Sequence, residues 1–202
     1  MPVLLQHLLP PAVPEIRPAR PADVVLLPAL EAASDTLLAS RPEIHAGLLG
    51  TLPPPASPRD LAGSRHLLVA GSPPAGFARL EEVGGCAHLE QLSVHPDAAR
   101  AGLGRALVAA AVQWARNEGY PALTLCTFAR VPFNAPFYRS CGFSEVEPAG
   151  YRSCGFSEVE PAGELAEVRR HEAELGLDSI GERVAMRLEL GSAGRAAAAA
   201  GN

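Results

Sequence analysis

The chain predicts an α/β (α+β) domain built on a mixed, largely antiparallel central sheet flanked by helices. Three observations carry that expectation. The runs "RHLLVAG", "GFARLEEV" and "AHLEQLSV" are strand-like and are parted only by "SPPA" and "GGC". Connections that short suit hairpins and predict an antiparallel meander. Next, "GLGRALVAAAVQWARNEG" sets Leu103, Leu107, Ala111, Trp114 and Ala115 on one helical stripe, with Gly119 as a C-terminal stop. The pattern then alternates between a buried-looking strand "ALTLCTF", a short helix "NAPFYRSCGF" and a last strand "ERVAMRLEL".

Taken in order, residues 1–14 are an apolar, proline-broken lead-in, and "EIRPARPAD" offers a short strand around Ile16. Asp23 is placed to cap a helix over "VVLLPALEAASDTLLAS", and a weaker helix is expected over "PEIHAGLLG". The Pro, Ser and Gly content of "TLPPPASPRDLAGS" predicts a loop. Asn134 is the expected N-cap of the short helix and Gly142 its terminal glycine. The charges of "ELAEVRRHEAELGL" at helical spacing predict a solvated helix face. Residues 15–190 read as one domain, and the tail 191–202 has too little to bury to be ordered.

With 202 residues, one domain can bury a sizeable core. A formal charge of -5 argues against nucleic acid as a partner. All 17 basic residues are arginine, so lysine-dependent catalysis is excluded. The four cysteines, Cys86, Cys126, Cys141 and Cys154, form no CxxC pair, and no cluster suggests a metal site. The amino terminus lacks a basic n-region, and no apolar run reaches the roughly 20 residues a membrane span needs. A soluble, cytoplasmic protein with reduced thiols and no membrane partner is expected.

One phrase occurs twice: Tyr138–Gly150 and Tyr151–Gly163 are identical, "YRSCGFSEVEPAG". Repeat folds need periods of roughly 20–50 residues and several units, so two short copies read as a tandem duplication inside one domain. The first copy follows Asn134-Ala-Pro-Phe, which starts a helix, whereas the second follows Pro148-Ala-Gly, which is turn chemistry. The second copy is therefore expected to be an insertion before the last strand. A spare "FSEVE" strand could also add to the sheet edge of a homodimer partner.

The strongest chemical signal is "LSVHPDAARAGLGRAL", residues 92–107: strand, turn, glycine-rich loop, helix. Unpaired N–H groups at a helix start, approached closely through glycines, suit a pyrophosphate. No Gly-Lys-Ser/Thr follows, which excludes a Walker loop, and the dinucleotide three-glycine spacing is also missing. A loop of this kind is as often only a tight turn. Trp114 belongs to the helix's apolar stripe, and Cys126, on a buried-looking strand without an adjacent His in sequence, reads as a small hydrophobe.

The segment "LEQLSVHPDAARAGLGRALVAAAVQWARNEGY", followed by "LTLCTF" and "NAPFYRSCGF", resembles the GNAT superfamily of acetyl-CoA-dependent N-acetyltransferases from about Ile16 to about Leu190. The resemblance implies that backbone N–H groups across Arg100, Ala101, Gly102, Leu103, Gly104 and Arg105 hold the CoA pyrophosphate. Ala101 stands where the family motif has Gln or Arg, with Arg100 beside it. It further implies that the fourth and fifth strands splay, and that pantetheine pairs with the exposed edge Leu92, Ser93 and Val94. An N–H near Leu92 would then polarise the thioester carbonyl.

Asn134 is the nearest match to a family asparagine, which would fall at Val131, so it is either a CoA contact or a helix cap. Tyr138, in Phe-Tyr-x-x-x-Gly-Phe, matches the general acid that protonates the departing thiolate. For the base, Glu90 is preferred, with Glu82 as an alternative and His88 sharing the face of Glu90 if no bulge intervenes. The implied activity is acetyl transfer from acetyl-CoA to a primary amine, on a small molecule or a protein N-terminus, in a ternary complex. The rival reading is a non-catalytic acyl-CoA-binding or interaction module with a degenerate site.

Overall fold

The sheet is built from short extended runs whose apolar residues face both ways. A computed structural model describes residues 14–39, 41–45, 52–146 and 162–191. Strands β1 (Ile16–Pro18), β2 (His66–Ala70), β3 (Gly76–Val83), β4 (Cys86–Val94), β5 (Ala122–Phe128), β6 (Ser144–Val146) and β7 (Arg183–Glu189) lie in the order β1-β2-β3-β4-β5-β7-β6. Every neighbouring pair is antiparallel except β4–β5. The expected meander is β2–β3–β4.

In β2, Leu68 and Ala70 face one core while Leu67 and Val69 face another, which is why "HLLVA" reads as a continuous apolar run. The first core packs α4 (Leu103–Asn117) on the sheet through Leu103, Leu107, Ala111 and Ala115. Trp114 sits at its margin, stacked on His66 with ring centroids 4.9 Å apart. On the other face α1 (Pro21–Val24), α2 (Leu27–Ala39) and α3 (Pro58–Ala62) cover Leu67, Val69 and Phe77. Gly119, at φ +81°, ends α4 as expected.

Several expectations are corrected. The first helix is two: Pro28 is tolerated only in a first turn, so α2 restarts at Leu27. Asp23 is not its cap but the third residue of α1, where it accepts the Arg20 N–H at 2.7 Å and the Arg17 guanidinium at 2.6 and 3.0 Å. Those contacts hold its carboxyl down at about 2. Residues 41–45 form a turn rather than the start of a helix, and 46–51 lie outside the described residues.

The loop "TLPPPASPRDLAGS" contains α3. Its cap was legible as Ser-x-x-Asp: Ser57 Oγ accepts the Asp60 N–H at 3.2 Å, and the Asp60 carboxylate accepts the Ser57 N–H at 3.3 Å. At Asn134 the chain does start α5 (Ala135–Ser140), yet the side chain makes no cap hydrogen bond.

The first copy of the duplicated phrase supplies Tyr138 to α5 and Ser144–Val146 to β6, which pairs with β7. In the second copy, 151–161 lie outside the described residues, and Ala162 and Gly163 begin α6 (Ala162–Glu174). Because the copies are identical, deleting residues 151–163 leaves an Ala-Gly pair before Glu164. We expect the deletion variant to keep its circular dichroism and to melt no lower than the parent, since halving a connection removes about 0.6 kcal/mol of closure entropy. Unfolding of the variant would show that the second copy is structural.

Helix α6 is not simply a solvated face. Arg169 donates to Glu172 at 2.5 Å and to Asp178 at 2.7 Å, and Arg183 of β7 donates to the other Glu172 oxygen. This largely buried network ties α6 to β7 and to α7 (Leu177–Ile180). Among the described residues no helix is long and apolar enough to cross a membrane, and no group of His, Cys, Asp or Glu could hold a metal.

Candidate active site

Strands β4 and β5 touch at only two rungs, Ala87–Leu123 and His88–Thr124, and then part. Among the described residues, the β5 side of β4 has no strand partner beyond His88, while its other side stays paired to β3. A cleft of about 1610 Å³ opens into this gap. Glu90, Leu92 and Val94 line it; Ser93 alternates away and is fully buried, its hydroxyl accepting from Gln91 Nε2 at 2.9 Å. Ser93 is therefore not a lining residue of the cleft.

At the mouth, the turn Pro96–Ala98 leads to Arg100, in left-handed backbone at φ +64°, and to Gly102 at φ +81°, which starts α4. The first hydrogen bond into the helix is Ala106 N–H to Gly102 O at 3.0 Å. The N–H groups of Leu103, Gly104 and Arg105 therefore precede the helical ladder, as a cradle for an anion requires. Arg100, Gly102, Leu103, Gly104 and Arg105 line the cleft; Ala101 does not. The Arg105 side chain is already engaged, donating to Ser140 O at 3.0 Å and Oγ at 2.8 Å. A side chain at Gly102 would sit in left-handed backbone at φ +81°, so Gly102→Ala is expected to cost about 1 kcal/mol in chemical denaturation.

From the opposite wall come Asn134 and Tyr138. Tyr138 is 8% exposed, wedged edge-on between Phe137 and Phe143 with centroids 5.1 and 5.8 Å away. Among the described residues its hydroxyl has no hydrogen-bond partner. Burial pushes its pKa above the ordinary tyrosine value, so it is a neutral phenol at pH 7.

Glu90 is a β-bulge: Arg79 pairs with Gln91 and Leu80 with Leu89, leaving Glu90 as the extra residue. The carboxylate is 44% exposed to the cleft, yet desolvation at the cleft floor raises its pKa. The bulge does not separate it from His88, whose Nε2 lies 3.7 Å from Glu90 Oε2. Glu82 is removed as a rival base: it accepts the Tyr120 O–H at 2.6 Å and stands outside the cleft. Cys126 lines the cleft, but burial pushes its thiol up to about 12 and keeps it protonated.

Sequence reasoning missed other walls. Glu31 and Asp35, one turn apart on α2, both line the cleft, and burial raises both pKa values. Their i,i+4 spacing on a predicted helix was the available signal. Glu172 and Arg183 also line it. Nothing local marked them, because α6 and β7 reach the site only through the tertiary fold.

Residues 47–143 match the sequence model of the acetyltransferase (GNAT) family. Solved structures share the fold. A ribosomal-protein-S18-alanine N-acetyltransferase from Escherichia coli is 21% identical, with 91% of this chain and 97% of that chain covered at a TM-score of 0.56. A GCN5-related N-acetyltransferase from Rhodopseudomonas palustris is 20% identical, covering 88% and 96% at 0.61. The PaiA N-acetyltransferase from Thermoplasma acidophilum, solved with coenzyme A, is 15% identical, covering 87% and 98% at 0.60. The matched segment contains the parted strands, the left-handed loop and Tyr138, and the whole sheet has the fold of these enzymes.

Proposed function

We propose that this protein transfers an acetyl group from acetyl-CoA to a primary amine, directly, in a ternary complex. The observation that carries the reading is the convergence of a free strand edge, a helix-start cradle and a buried neutral tyrosine on one cleft between β4 and β5. The residues fit the co-substrate: N–H groups of Gly102–Arg105 would hold its pyrophosphate, and the edge at Leu92–Val94 would pair with its pantetheine arm. Acetyl-CoA supplies the activated acyl group. Asn134, with no cap to make, is free to present its amide to the same ligand.

At the reacting centre the chain's own groups move protons. Glu90 accepts the proton of the attacking ammonium, directly or through water, and its raised pKa brings it closer to neutral pH for that task. Tyr138 donates its phenolic proton to the departing thiolate. Glu31 and Asp35 add negative charge to the cleft, which favours a cationic acceptor, small or peptidic. The described cysteines are free thiols, which suits a reducing, cytoplasmic setting.

The test is calorimetry with acetyl-CoA, then thiol release on the same sample against a panel of amines and amino-terminal peptides. Binding with amine-dependent release supports the proposal. Binding without release across the panel supports the non-catalytic module, and absence of binding removes the cradle reading.

A further inference from the structure

His88 is a buried ionisable group that acetyl transfer as described does not use. It is 2% exposed and sits on the last rung that β4 and β5 share, opposite Thr124. Its Nδ1 lies 2.9 Å from Thr124 Oγ1, and that hydroxyl donates to the Ala87 carbonyl at 3.2 Å. A hydroxyl has one proton. With that proton on Ala87 O, the Thr124 oxygen must accept from Nδ1–H, which leaves Nε2 as a bare lone pair 3.7 Å from Glu90 Oε2.

We propose that Thr124 and His88 are positioning residues for Glu90: Thr124 fixes the neutral Nδ1–H tautomer, and the Nε2 lone pair retains, on the facing Glu90 oxygen, the proton taken from the amine. The inference rests on Glu90 serving as the base. In that step the amine N–H bond breaks and a Glu90 O–H bond forms, the new O–H donating to Nε2; the proton then leaves to solvent. Burial holds the His88 pKa down at about 4, so the ring itself stays neutral.

Other groups facing Glu90 are accounted for. From β3 come Arg79 and Glu81, paired at 2.8 Å. From α6 and β7 come Glu172 and Arg183, paired with each other. Glu31 of α2, its pKa raised by burial, and Cys126 of β5, a neutral thiol, are within electrostatic range. Both arginines that could draw the proton off Glu90 are thus held by another carboxylate. The histidine is the neutral acceptor that remains on its own strand.

The test is nuclear magnetic resonance on the full chain without acetyl-CoA or amine. Ring nitrogen shifts of His88 are expected to show the Nδ1–H tautomer, and carboxyl carbon shifts, assigned through Glu90→Gln, give the Glu90 titration. In Thr124→Val the ring, freed from the hydroxyl, is expected to adopt the Nε2–H tautomer and donate to Glu90. The proton affinity of Glu90 should then fall about tenfold. An Nε2–H tautomer in the unaltered protein overturns the proposal without any variant; so does a Glu90 titration identical in the parent, Thr124→Val and His88→Gln. Coupling seen here in a protein that releases no thiol against amines would count against acetyl transfer and leave the Thr124–His88–Glu90 coupling standing.

Discussion

Replacing Tyr138 with phenylalanine is expected to lower kcat about 10²–10⁴-fold, the span of general acid catalysis, with the Kd for acetyl-CoA unchanged. The hydroxyl is the only group removed, and among the described residues it holds no hydrogen bond. Its loss therefore leaves no orphaned partner, and stability should change by less than about 1 kcal/mol. The ring keeps its edge contacts with Phe137 and Phe143. The backbone keeps Tyr138 N–H to Asn134 O at 2.9 Å and Phe143 N–H to Tyr138 O at 3.1 Å. Thiol release followed beside calorimetry separates the two outcomes. Equal turnover in the phenylalanine variant would remove Tyr138 as the acid and leave water to protonate the thiolate.

A second large effect is expected on stability in mild acid. His88 has a folded pKa of about 4, held down by burial, against roughly 6.5 in an unfolded chain. Between those values the unfolded state binds the proton that the folded state refuses, so stability falls as pH falls. The contribution is intact above the unfolded value and is lost by pH 4, amounting to about 3 kcal/mol in all. Glu31, Asp35 and Glu90, whose folded pKa values are raised, act with the opposite sign. Comparing denaturant midpoints of the parent and His88→Gln from pH 7 to pH 4 isolates the histidine: the parent should lose more stability than the variant. Parallel curves would mean that His88 is protonated in the folded state.

Local chemistry made the loop wall of the cleft legible in the sequence. The glycine at 102, the apolar stripe of α4, the strand at Ala122–Phe128 and the phrase around Tyr138 are each set by neighbours a few residues away. The α3 cap at Ser57 is also local, a Ser-x-x-Asp box inside a stretch whose proline and serine content predicts a loop. On β4, Glu90 and His88 were legible as residues but their geometry was not. Whether Glu90 bulges depends on how β3 and β4 pair, and whether His88 meets Thr124 depends on the last rung before β4 and β5 part.

Residues far apart in the chain decided the remainder. Strand β7 inserts between β5 and β6 and brings Arg183 beside Phe128, its guanidinium 4.7 Å from the ring centroid, with Glu172 of α6 as its partner. The sequence alone determined the strands of the sheet and the helices α4 and α5, and where a helix start could receive a phosphate, because hydrogen-bond geometry and apolar periodicity act over a few residues. Which carboxylates and which arginine line the cleft, and which hydroxyl His88 meets, was decided only by tertiary structure, because burial and charge pairing arise between elements that the chain itself keeps distant.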